Sequence, residues 1–407
     1  MEHSPVTILG AGPAGCTAAL ALSARGIACQ MVDQAIFPRD KICGDALSGK
    51  VVTALKRIDP NLAGELGAQA FTHPSHGVVF VAPNGKALRL PFRRTLDTAQ
   101  PPGFLARRKD FDNWLFEKSS AAPGVSCTTG VRVDTFHREG NEWIIGNKEG
   151  TFSHRTSLII AADGAQSRFA KQVGGMEMED EHYCAGLRVY YKGIKDLDPN
   201  GFIELHFVKD FLPGYFWIFP LSGGAANVGV GMRSDVARKR KINLKEAMNE
   251  LIRTYEPIHR RFADAVAEGP VNGYGLPLGS RKRSLSGEGY LLLGDAGALI
   301  DPFTGEGIGN AMISGIKAAE TVAEAAGDFS ASSLLRYDES VYKRLWPELS
   351  LSKTMQQLVG QPWLFNMVVN KASRSKTLQE TISCMFEDLD LRGRLKDPRF
   401  YLKVLFE

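Results

Sequence analysis

The order of apolar and polar residues predicts a strand, a helix and a second strand at the start of the chain. Residues 6–9 form an apolar, β-prone run, residues 14–25 are rich in alanine and leucine, and residues 28–32 form another short apolar run. A turn with the sequence Gly-Ala-Gly-Pro-Ala-Gly joins the first run to the helix. This pattern is typical of a βαβ unit with two parallel strands.

Farther along the chain, strands and helices are predicted in separate blocks. Residues 77–81 and 87–90, separated by Pro-Asn-Gly, predict a hairpin. Period-two alternation predicts an antiparallel sheet with strands at 185–191, 202–208, 215–219 and 226–232. The other predicted elements are a helix at 110–119, a buried strand at 158–162, a helical region at 244–267, a strand at 290–293, a helix ending near 326 and helices from 330 to 407.

Composition places the chain among folded α/β proteins. Its 407 residues are 44% hydrophobic and 23% charged, which argues against disorder and predicts two or three structural units. The 49 basic residues nearly balance 45 acidic ones, so nucleic acid is not an expected partner. Six cysteines without a C-x-x-C pair predict neither a metal site nor disulfides. Without a signal-peptide pattern or a long apolar run, we expect a cytoplasmic protein whose membrane contact would be peripheral, at the inner face.

The glycine-rich turn predicts a dinucleotide site. Gly10 allows a tight turn, Gly12 admits a pyrophosphate close to the backbone, and Gly15 lets helix and strand pack closely. The helix that begins at Ala14 offers N–H groups and a partial positive charge to phosphate. Asp33, at the end of the second strand, is placed to accept hydrogen bonds from the ribose hydroxyls of an adenosine. The unit alone is compatible with NAD, NADP or FAD.

Later features favour FAD. Arg108 opens an Arg-x-x-Phe-Asp sequence that resembles the helix-edge arginine of group A flavoproteins, and Asp163-Gly164 and Gly294-Asp295 each follow a buried strand. Asp295 resembles the acid that hydrogen-bonds the ribityl chain of the flavin. The turn beyond it leads into a helix whose first N–H groups would face the negative charge of a reduced flavin. The predicted flavin-contacting residues of this turn are Pro302, Gly305, Gly307 and Ile308.

Two further motifs narrow the resemblance. One is Pro38-x-x-Lys41-x-Cys43-Gly44, and the other is Tyr215-x-Trp217-x-Phe219-Pro220, followed after eight residues by Gly229-x-Gly231. With the preceding motifs, they make residues 5–325 resemble the geranylgeranyl reductase-like branch of the FAD-dependent oxidoreductases, which have the p-hydroxybenzoate hydroxylase fold. The first motif is similar to the family's loop that carries a cysteine near the flavin. That family often has a second glycine where this chain has Asp45.

The aromatic motif has a physical interpretation of its own. On a strand, Tyr215, Trp217 and Phe219 share one face and form a wall suited to an apolar chain, while Pro220 ends the pairing. The alternative is that these rings only fill the core of the sheet. We take Tyr215, Trp217 and Cys43 as candidate catalytic residues, the motif from Tyr215 to Pro220 as the substrate site, and Lys41, Cys43 and Gly44 as further flavin contacts.

The resemblance implies the fold class and the domains. We expect a Rossmann-like FAD-binding domain with an inserted antiparallel β-sheet substrate domain and a C-terminal helical segment. The predicted bounds are 1–75, 103–178 and 270–330 for the discontinuous FAD-binding domain, 76–102 and 179–269 for the substrate domain, and 331–407 for the helical region.

The resemblance also implies a reaction, in which reduced FAD saturates C=C bonds of an isoprenoid chain. The chain carries one dinucleotide fingerprint, so electrons would come from transiently bound NADPH or from a ferredoxin-like carrier protein. A flavin monooxygenase or halogenase acting through a C4a-hydroperoxide stays an alternative. Flavin halogenases carry Trp-x-Trp-x-Ile-Pro at the aromatic motif, and the tyrosine and phenylalanine here favour the reductase. A flavoprotein for electron transfer or sensing, without an organic substrate, is a third hypothesis.

Overall fold

The computed structural model describes residues 2–92 and 101–383. Parts of two predicted regions, 93–100 within the segment 76–102 and 384–407 within the C-terminal region, lie outside the described residues. The strands are β1 (Glu2–Leu9), β2 (Cys29–Asp33), β3 (Ala46–Leu47), β4 (His73–Ser75), β5 (Gly77–Val81), β6 (Ala87–Pro91), β7 (Gly103–Leu105), β8 (Val125–Thr129), β9 (Thr135–Glu139), β10 (Glu142–Gly146), β11 (Ser153–Ala161), β12 (Tyr183–Lys192), β13 (Phe202–His206), β14 (Tyr215–Pro220), β15 (Ala225–Arg233), β16 (Val266–Pro277), β17 (Ser286–Gly287) and β18 (Tyr290–Leu292). The helices are α1 (Pro13–Ser23), α2 (Gly49–Ile58), α3 (Leu62–Gly67), α4 (Arg108–Ser120), α5 (Arg168–Gln172), α6 (Ser234–Lys239), α7 (Leu244–Thr254), α8 (Glu256–His259), α9 (Ile308–Ala325), α10 (Ala331–Val359), α11 (Pro362–Ala372) and α12 (Lys376–Ser383).

The predicted βαβ unit forms the centre of the first sheet. Its strand order is β17-β18-β11-β1-β2-β8, and β10 and β9 extend it from β11. Strand β1 lies parallel to both β2 and β11, which places the ends of three strands at one edge. The small residues of α1 allow α9 to pack closely against it, since a side chain at Gly315 would reach to 2.6 Å from the Ala14 carbonyl oxygen.

The second sheet has the order β16-β12-β15-β14-β13-β5-β6. Its pairings are antiparallel, as predicted, except that β13 lies parallel to β5. The prediction of helix as far as residue 267 is wrong at its end, because Val266–Pro277 forms β16, which pairs along β12. The local sequence of this strand is rich in glycine, so the pairing with a distant strand decides its conformation.

The predicted domain boundary at 270 lies inside β16. We therefore propose the three-part division with the boundary between the middle unit and the last part of the first unit moved to residue 277. A small third sheet, β3-β7-β4, is formed by strands that lie before and after β5 and β6 in the chain.

Helices α10, α11 and α12 account for the described part of the predicted C-terminal region. Helix α10 packs on α9, and α11 places Phe365, Val369 and Ala372 in the same apolar cluster as Trp217 and Phe219. Among the residues that the structure describes, no helix combines the length and hydropathy needed to span a bilayer.

Candidate active site

The turn between β1 and α1 is shaped for close approach of a ligand to the backbone. Gly10 has a φ of +96°, and a Cβ there would lie 2.5 Å from the Ala162 carbonyl oxygen. A Cβ at Gly15 would lie 1.9 Å from the Gly10 carbonyl oxygen, so Gly15 serves the packing of helix on strand and does not line a cavity. Gly12 is the N-cap of α1 and has no side chain to cap the helix. The first N–H groups of α1 are thus available to an anion.

A cavity opens at this turn, and we call it the nucleotide cavity. Asp33 lies on its wall, with Oδ2 accepting from the Ala11 N–H at 2.7 Å and Oδ1 from the Ala35 N–H at 2.8 Å. These bonds fix the carboxylate and leave lone pairs for a ribose. The cavity is lined by Leu9, Gly10, Gly12, Pro13, Ala14, Val32, Asp33, Gln34, Ala35, Arg39, Asp40, Lys41, Ile42, Arg108, Val131, Arg132, Val133, Ala162, Asp163, Gly164, Gln166, Arg168, Tyr274, Leu293, Asp295 and Ala311.

Asp163 has an unsatisfied oxygen at this cavity. Its Oδ2 accepts from the Arg168 N–H at 3.2 Å, whereas the buried Oδ1 has no hydrogen-bond partner among the described residues. Burial raises the pKa of this carboxyl to about 6. Gly164 follows with a φ of +81°, so the predicted Asp-Gly pair forms a turn at the cavity wall.

A second cavity begins where the nucleotide cavity ends, and we call it the aromatic cavity. The two share Pro13, Lys41, Ile42, Arg108, Tyr274, Asp295 and Ala311 as lining residues. The other lining residues of the aromatic cavity are Cys43, Gly44, Ala46, Leu47, Ser48, Ser75, Phe92, Phe104, Cys184, Gly186, Leu187, Arg188, Ile203, Leu205, Tyr215, Trp217, Phe219, Gly231, Leu276, Leu278, Ile300, Asp301, Pro302, Phe303, Thr304, Gly305, Glu306, Gly307 and Ile308. A long ligand could therefore extend from one cavity into the other.

Charged residues at the junction of the cavities pair with each other. Lys41 Nζ lies 2.8 Å from Asp295 Oδ2, so two of the predicted cofactor residues form an ion pair. Arg108 is buried and holds both oxygens of Asp112, at 2.6 and 2.7 Å. Arg39 reaches the same carboxylate beside the start of α1. The sequence interpretation missed Arg39, although the charged stretch in which it lies was a visible signal.

The three predicted aromatic residues of β14 lie on one face of the sheet and line the aromatic cavity. Trp217 and Phe219 belong to one apolar cluster, with Tyr215 packed against it. The Tyr215 hydroxyl donates to the Thr304 carbonyl oxygen at 3.1 Å. This bond connects the aromatic face to the turn at 301–308, which is predicted to contact the flavin and which we call the flavin turn. Pro220 is the last residue of β14 and pairs with Ala226, but it does not line the cavity.

Asn227 connects the aromatic face to the Cys43 loop and was missed by the sequence interpretation. Its Oδ1 accepts from Trp217 Nε1 at 2.9 Å, and its Nδ2 donates to the Cys43 carbonyl oxygen at 2.7 Å and to Asp45 Oδ2 at 2.9 Å. The available signal in the sequence was an asparagine within the apolar run at 225–232, and the structure buries it fully. A ring of Phe219 also packs on Gly44, where a Cβ would lie 2.8 Å away.

Asp45 occupies the position where the resembling family often has glycine, and its backbone shows why. Its φ is +69°, in the left-handed region that glycine adopts most easily. The side chain is fully buried, and burial raises the pKa of the carboxyl to about 6 although Asn227 and Tyr190 partly oppose this. Arg188, also missed from the sequence, anchors the same loop by pairing with Asp40.

The four residues of the turn at 301–308 that are predicted to contact the flavin border the aromatic cavity: Pro302, Gly305, Gly307 and Ile308. One helix N–H is already taken, because the Gly309 N–H donates to Glu306 Oε1 at 2.6 Å. Gly294 does not line either cavity. It has a φ of +53° and packs against α9 beside Ala311.

These residues fit FAD. The side-chain-free turn at Gly10 and Gly12, the anchored carboxylate of Asp33 and the orphaned oxygen of Asp163 suit the polar half of a dinucleotide. The joined aromatic cavity offers an apolar space with Lys41 and Asp295 at its entrance. Within the described residues, no group of histidine, cysteine and acidic side chains is arranged to hold a metal.

Comparisons with known proteins agree with this geometry. Residues 3–197 match a FAD binding domain, and residues 183–267 match the geranylgeranyl reductase catalytic domain. Digeranylgeranylglycerophospholipid reductase 1 of Methanopyrus kandleri is 30% identical over 343 residues, which cover 82% of this chain and 84% of that protein. The menaquinone reductase of Mycobacterium tuberculosis is 28% identical over 354 residues, which cover 86% of this chain and 80% of that protein.

Solved structures show the same fold. A geranylgeranyl bacteriochlorophyll reductase-like protein from Thermoplasma acidophilum has a TM-score of 0.82 at 22% identity, covering 100% of this chain and 96% of that one. A flavin-dependent brominase has a TM-score of 0.78 at 22% identity, covering 99% and 98%. The fold is therefore common to enzymes with different chemistry. The domain matches and the relative at 30% identity establish that this chain belongs to the geranylgeranyl reductase family of FAD-dependent oxidoreductases.

Proposed function

We propose that the protein uses reduced FAD to saturate C=C bonds of an isoprenoid chain. The observation that carries this proposal is the apolar, aromatic cavity that opens directly onto the flavin turn, with Tyr215 hydrogen-bonded to Thr304 of that turn. A long hydrocarbon lying along Trp217 and Phe219 would be shielded from water and held next to the turn. The two relatives described above are named for a geranylgeranyl lipid and for menaquinone, which agrees with a prenyl chain as the common substrate element.

The proposed cofactor contacts follow the two cavities. The N-terminus of α1 at Gly12 and Ala14 would hold the pyrophosphate, and Asp33 the adenosine ribose. Asp295, positioned by Lys41, would bind the ribityl chain. When bound and reduced, FAD supplies the hydride for the reaction. The protein contributes the binding surface, the orientation of the chain and the exclusion of water.

The electron source in this proposal is NADPH or a ferredoxin-like carrier. The described chain uses its dinucleotide fingerprint at Gly10 to Gly15 for FAD, so NADPH would bind transiently. The exposed basic run at 238–241 suits an acidic carrier. The donor can be identified by mixing the FAD-loaded protein with each candidate without oxygen. Reduction of the bound FAD is measured as the loss of flavin absorbance.

A lipid surface is the proposed source of the substrate, with α11 as the contact. Trp363 and Met367 lie one turn apart on α11, and their side chains are 66% and 51% exposed. The opposite face of this helix packs in the apolar cluster that contains Trp217 and Phe219. Arg374 lies two residues beyond the end of this helix, is exposed and suits anionic headgroups. Replacing both Trp363 and Met367 by alanine should abolish co-sedimentation with anionic vesicles. Leu335→Ala, at an exposed leucine on α10, is the matched control.

The test of the reaction is the reoxidation of reduced flavin. The protein is reduced without oxygen and mixed with a geranylgeranyl lipid. We expect the flavin to be reoxidised and the lipid to gain two hydrogens per step. In a monooxygenase or halogenase, the reduced flavin would not be reoxidised by the lipid. It would react with oxygen after the admission of air and show the absorbance spectrum of a C4a-hydroperoxide, and that result would refute the proposal.

The cofactor assignment has its own test in Asp295→Ala. We expect the purified variant to retain less FAD, because it loses the proposed ribityl partner and leaves Lys41 unpaired. The matched control is Asp264→Ala, which removes a similar pair with Lys195 at 2.7 Å on the protein surface. Equal FAD content in the two variants would contradict the role of Asp295.

A further inference from the structure

A group of buried charged residues lies directly behind the flavin turn. Lys50 of α2 is only 1% exposed, and its Nζ lies 2.7 Å from Glu348 Oε2 of α10 and 3.0 Å from Asn310 Oδ1 of α9. Arg344 binds the other oxygen of Glu348 at 2.7 Å. Two more buried carboxyls, Asp301 and Glu306, belong to the turn itself and line the aromatic cavity.

The charges of this group do not balance if every carboxyl is ionised. Among the described residues of the group, Lys50 and Arg344 supply two positive charges, whereas Asp301, Glu306 and Glu348 would supply three negative ones. An uncompensated charge in a buried site is costly, and a buried acid avoids this cost by keeping its proton. One carboxyl of the group is therefore expected to be protonated.

Hydrogen bonds indicate which carboxyl holds that proton. Asp301 Oδ1 accepts three bonds, from the Phe303 N–H at 2.9 Å, the Thr304 N–H at 2.8 Å and the Thr304 hydroxyl at 3.0 Å, and these stabilise its ionised form. Glu306 has fewer donors, namely the Gly309 N–H, which donates to Oε1 at 2.6 Å, and the Ser48 hydroxyl. Its second oxygen is the better place for a proton.

The geometry points to Glu306 as the proton donor of the reduction, an assignment that rests on the proposed function. Saturating a C=C bond requires a hydride on one carbon and a proton on the other. In this step the π electrons of the C=C bond form a new C–H bond with the proton of Glu306 Oε2, and the flavin hydride forms the second C–H bond. Glu306 becomes a carboxylate next to Lys50, and solvent returns the proton after the product leaves.

The surroundings set the pH range of this donor. Burial raises the pKa of Glu306, while Lys50, the Gly309 N–H and the Ser48 hydroxyl lower it in part and Asp301 raises it further. From α10, Glu348 faces the group through its contact with Lys50. Because the acid form is the donor, the rate should be high at low pH and should fall as pH rises through the raised pKa.

The experiment compares Glu306→Gln with the wild type. Glutamine can still accept from the Gly309 N–H, so the helix cap is kept, but it cannot act as an acid. In anaerobic single turnovers with a geranylgeranyl lipid, we expect flavin reoxidation to slow by about 100-fold or more and to lose its dependence on pH. Glu306→Asp should restore part of the rate, and the FAD content should match the wild type.

Two further measurements make the result decisive. Glu204→Gln alters a buried carboxylate that is paired with Arg261 at 2.7 Å in another part of the fold, and it should leave the reoxidation rate unchanged. The infrared difference spectrum between wild type and Glu306→Gln, recorded at the pH at which the wild type reacts fastest, should contain a protonated carboxyl band, with no substrate needed. A missing band, or a wild-type rate and pH profile in Glu306→Gln, overturns the assignment. Failure of the wild type itself to react with the lipid refutes the proposed function instead, and the infrared band still reports on Glu306.

Discussion

The two faces of β14 differ although their residue types are alike. Phe216 and Ile218 point to one side and are fully buried in a core with Met248 of α7. Trp217 and Phe219 point to the other side and border the aromatic cavity. The alternation of a single strand therefore separates residues that stabilise the fold from residues that shape a site.

Buried carboxyls repeat this contrast. On the closed face, burial alone would raise the pKa of Glu204, but Arg261 and His206 outweigh it and lower the pKa to about 2. On the cavity face, Asp45 meets Asn227, and burial raises its pKa to about 6. Arg261 compensates the buried charge of Glu204, whereas no ion pair is formed by Asp45 among the residues that the structure describes.

The largest expected effect is the difference between replacing Phe216 and replacing Trp217 by alanine. Phe216→Ala should lower the free energy of unfolding by about 3–5 kcal/mol, since its ring is surrounded by core. Trp217→Ala should cost less, near the lower end of the same range of about 3–5 kcal/mol, because part of the ring already faces the cavity. It should reduce turnover of a long prenyl substrate by at least about 10-fold while FAD is retained. Urea unfolding and flavin reoxidation measure the two quantities, and unchanged turnover in Trp217→Ala would make the aromatic wall part of the core only.

The second prediction concerns the pH dependence of stability. The pKa of Asp45 rises from 3.8 to about 6 on folding, so its favourable contribution is present below 3.8 and is lost as pH rises to about 6. Asp45→Asn should remove this pH dependence, which amounts to about 3 kcal/mol between the two pH limits. Asparagine also tolerates the positive φ at this position. Unfolding in urea from pH 4 to 7 measures the difference.

Glu204→Gln provides the comparison of opposite sign. The pKa of Glu204 falls on folding, so its contribution is present above pH 4.5 and is lost as pH decreases toward 2. Glu204→Gln should therefore lower stability above pH 4.5, where the carboxylate is paired with Arg261, and should flatten the acid side of the stability profile. If Asp45→Asn and Glu204→Gln had the same dependence of stability on pH, the proposed difference between the cavity face and the closed face would be refuted.

The smallest expected effect comes from adding a methyl group at Gly229, next to the Trp217 ring. A Cβ at Gly229 would lie 2.2 Å from both the Trp217 ring and the Leu187 carbonyl oxygen, so Gly229→Ala should destabilise the protein by about 1–3 kcal/mol and displace the indole. Gly231→Ala is the matched control, because its Cβ would lie at ordinary contact distance, 3.6 Å from the same ring. Tryptophan fluorescence and thermal unfolding distinguish them, and equal effects would show that the indole is free to move.

Local patterns predicted the parts of the fold that depend on local sequence. The strand, glycine turn and helix from residue 6 to 25 and the one-faced aromatic motif follow from spacing alone, and the structure contains them. The strand β16 was missed because its pairing with β12 is made across about 80 residues of chain. The bond between Asn227 and Asp45 joins residues 182 positions apart, so no local pattern could contain it.

The packing of α11 on the apolar cluster of Trp217 and Phe219 has a consequence for folding during synthesis. The cavity wall at 215–219 is synthesised well before Pro362–Ala372, which packs on the same cluster. Chains fold progressively as they leave the ribosome, starting from the N-terminal part. Until α11 emerges, the nascent chain therefore presents an uncovered aromatic surface, and this is the stage of biogenesis at which a chaperone or a membrane would meet it.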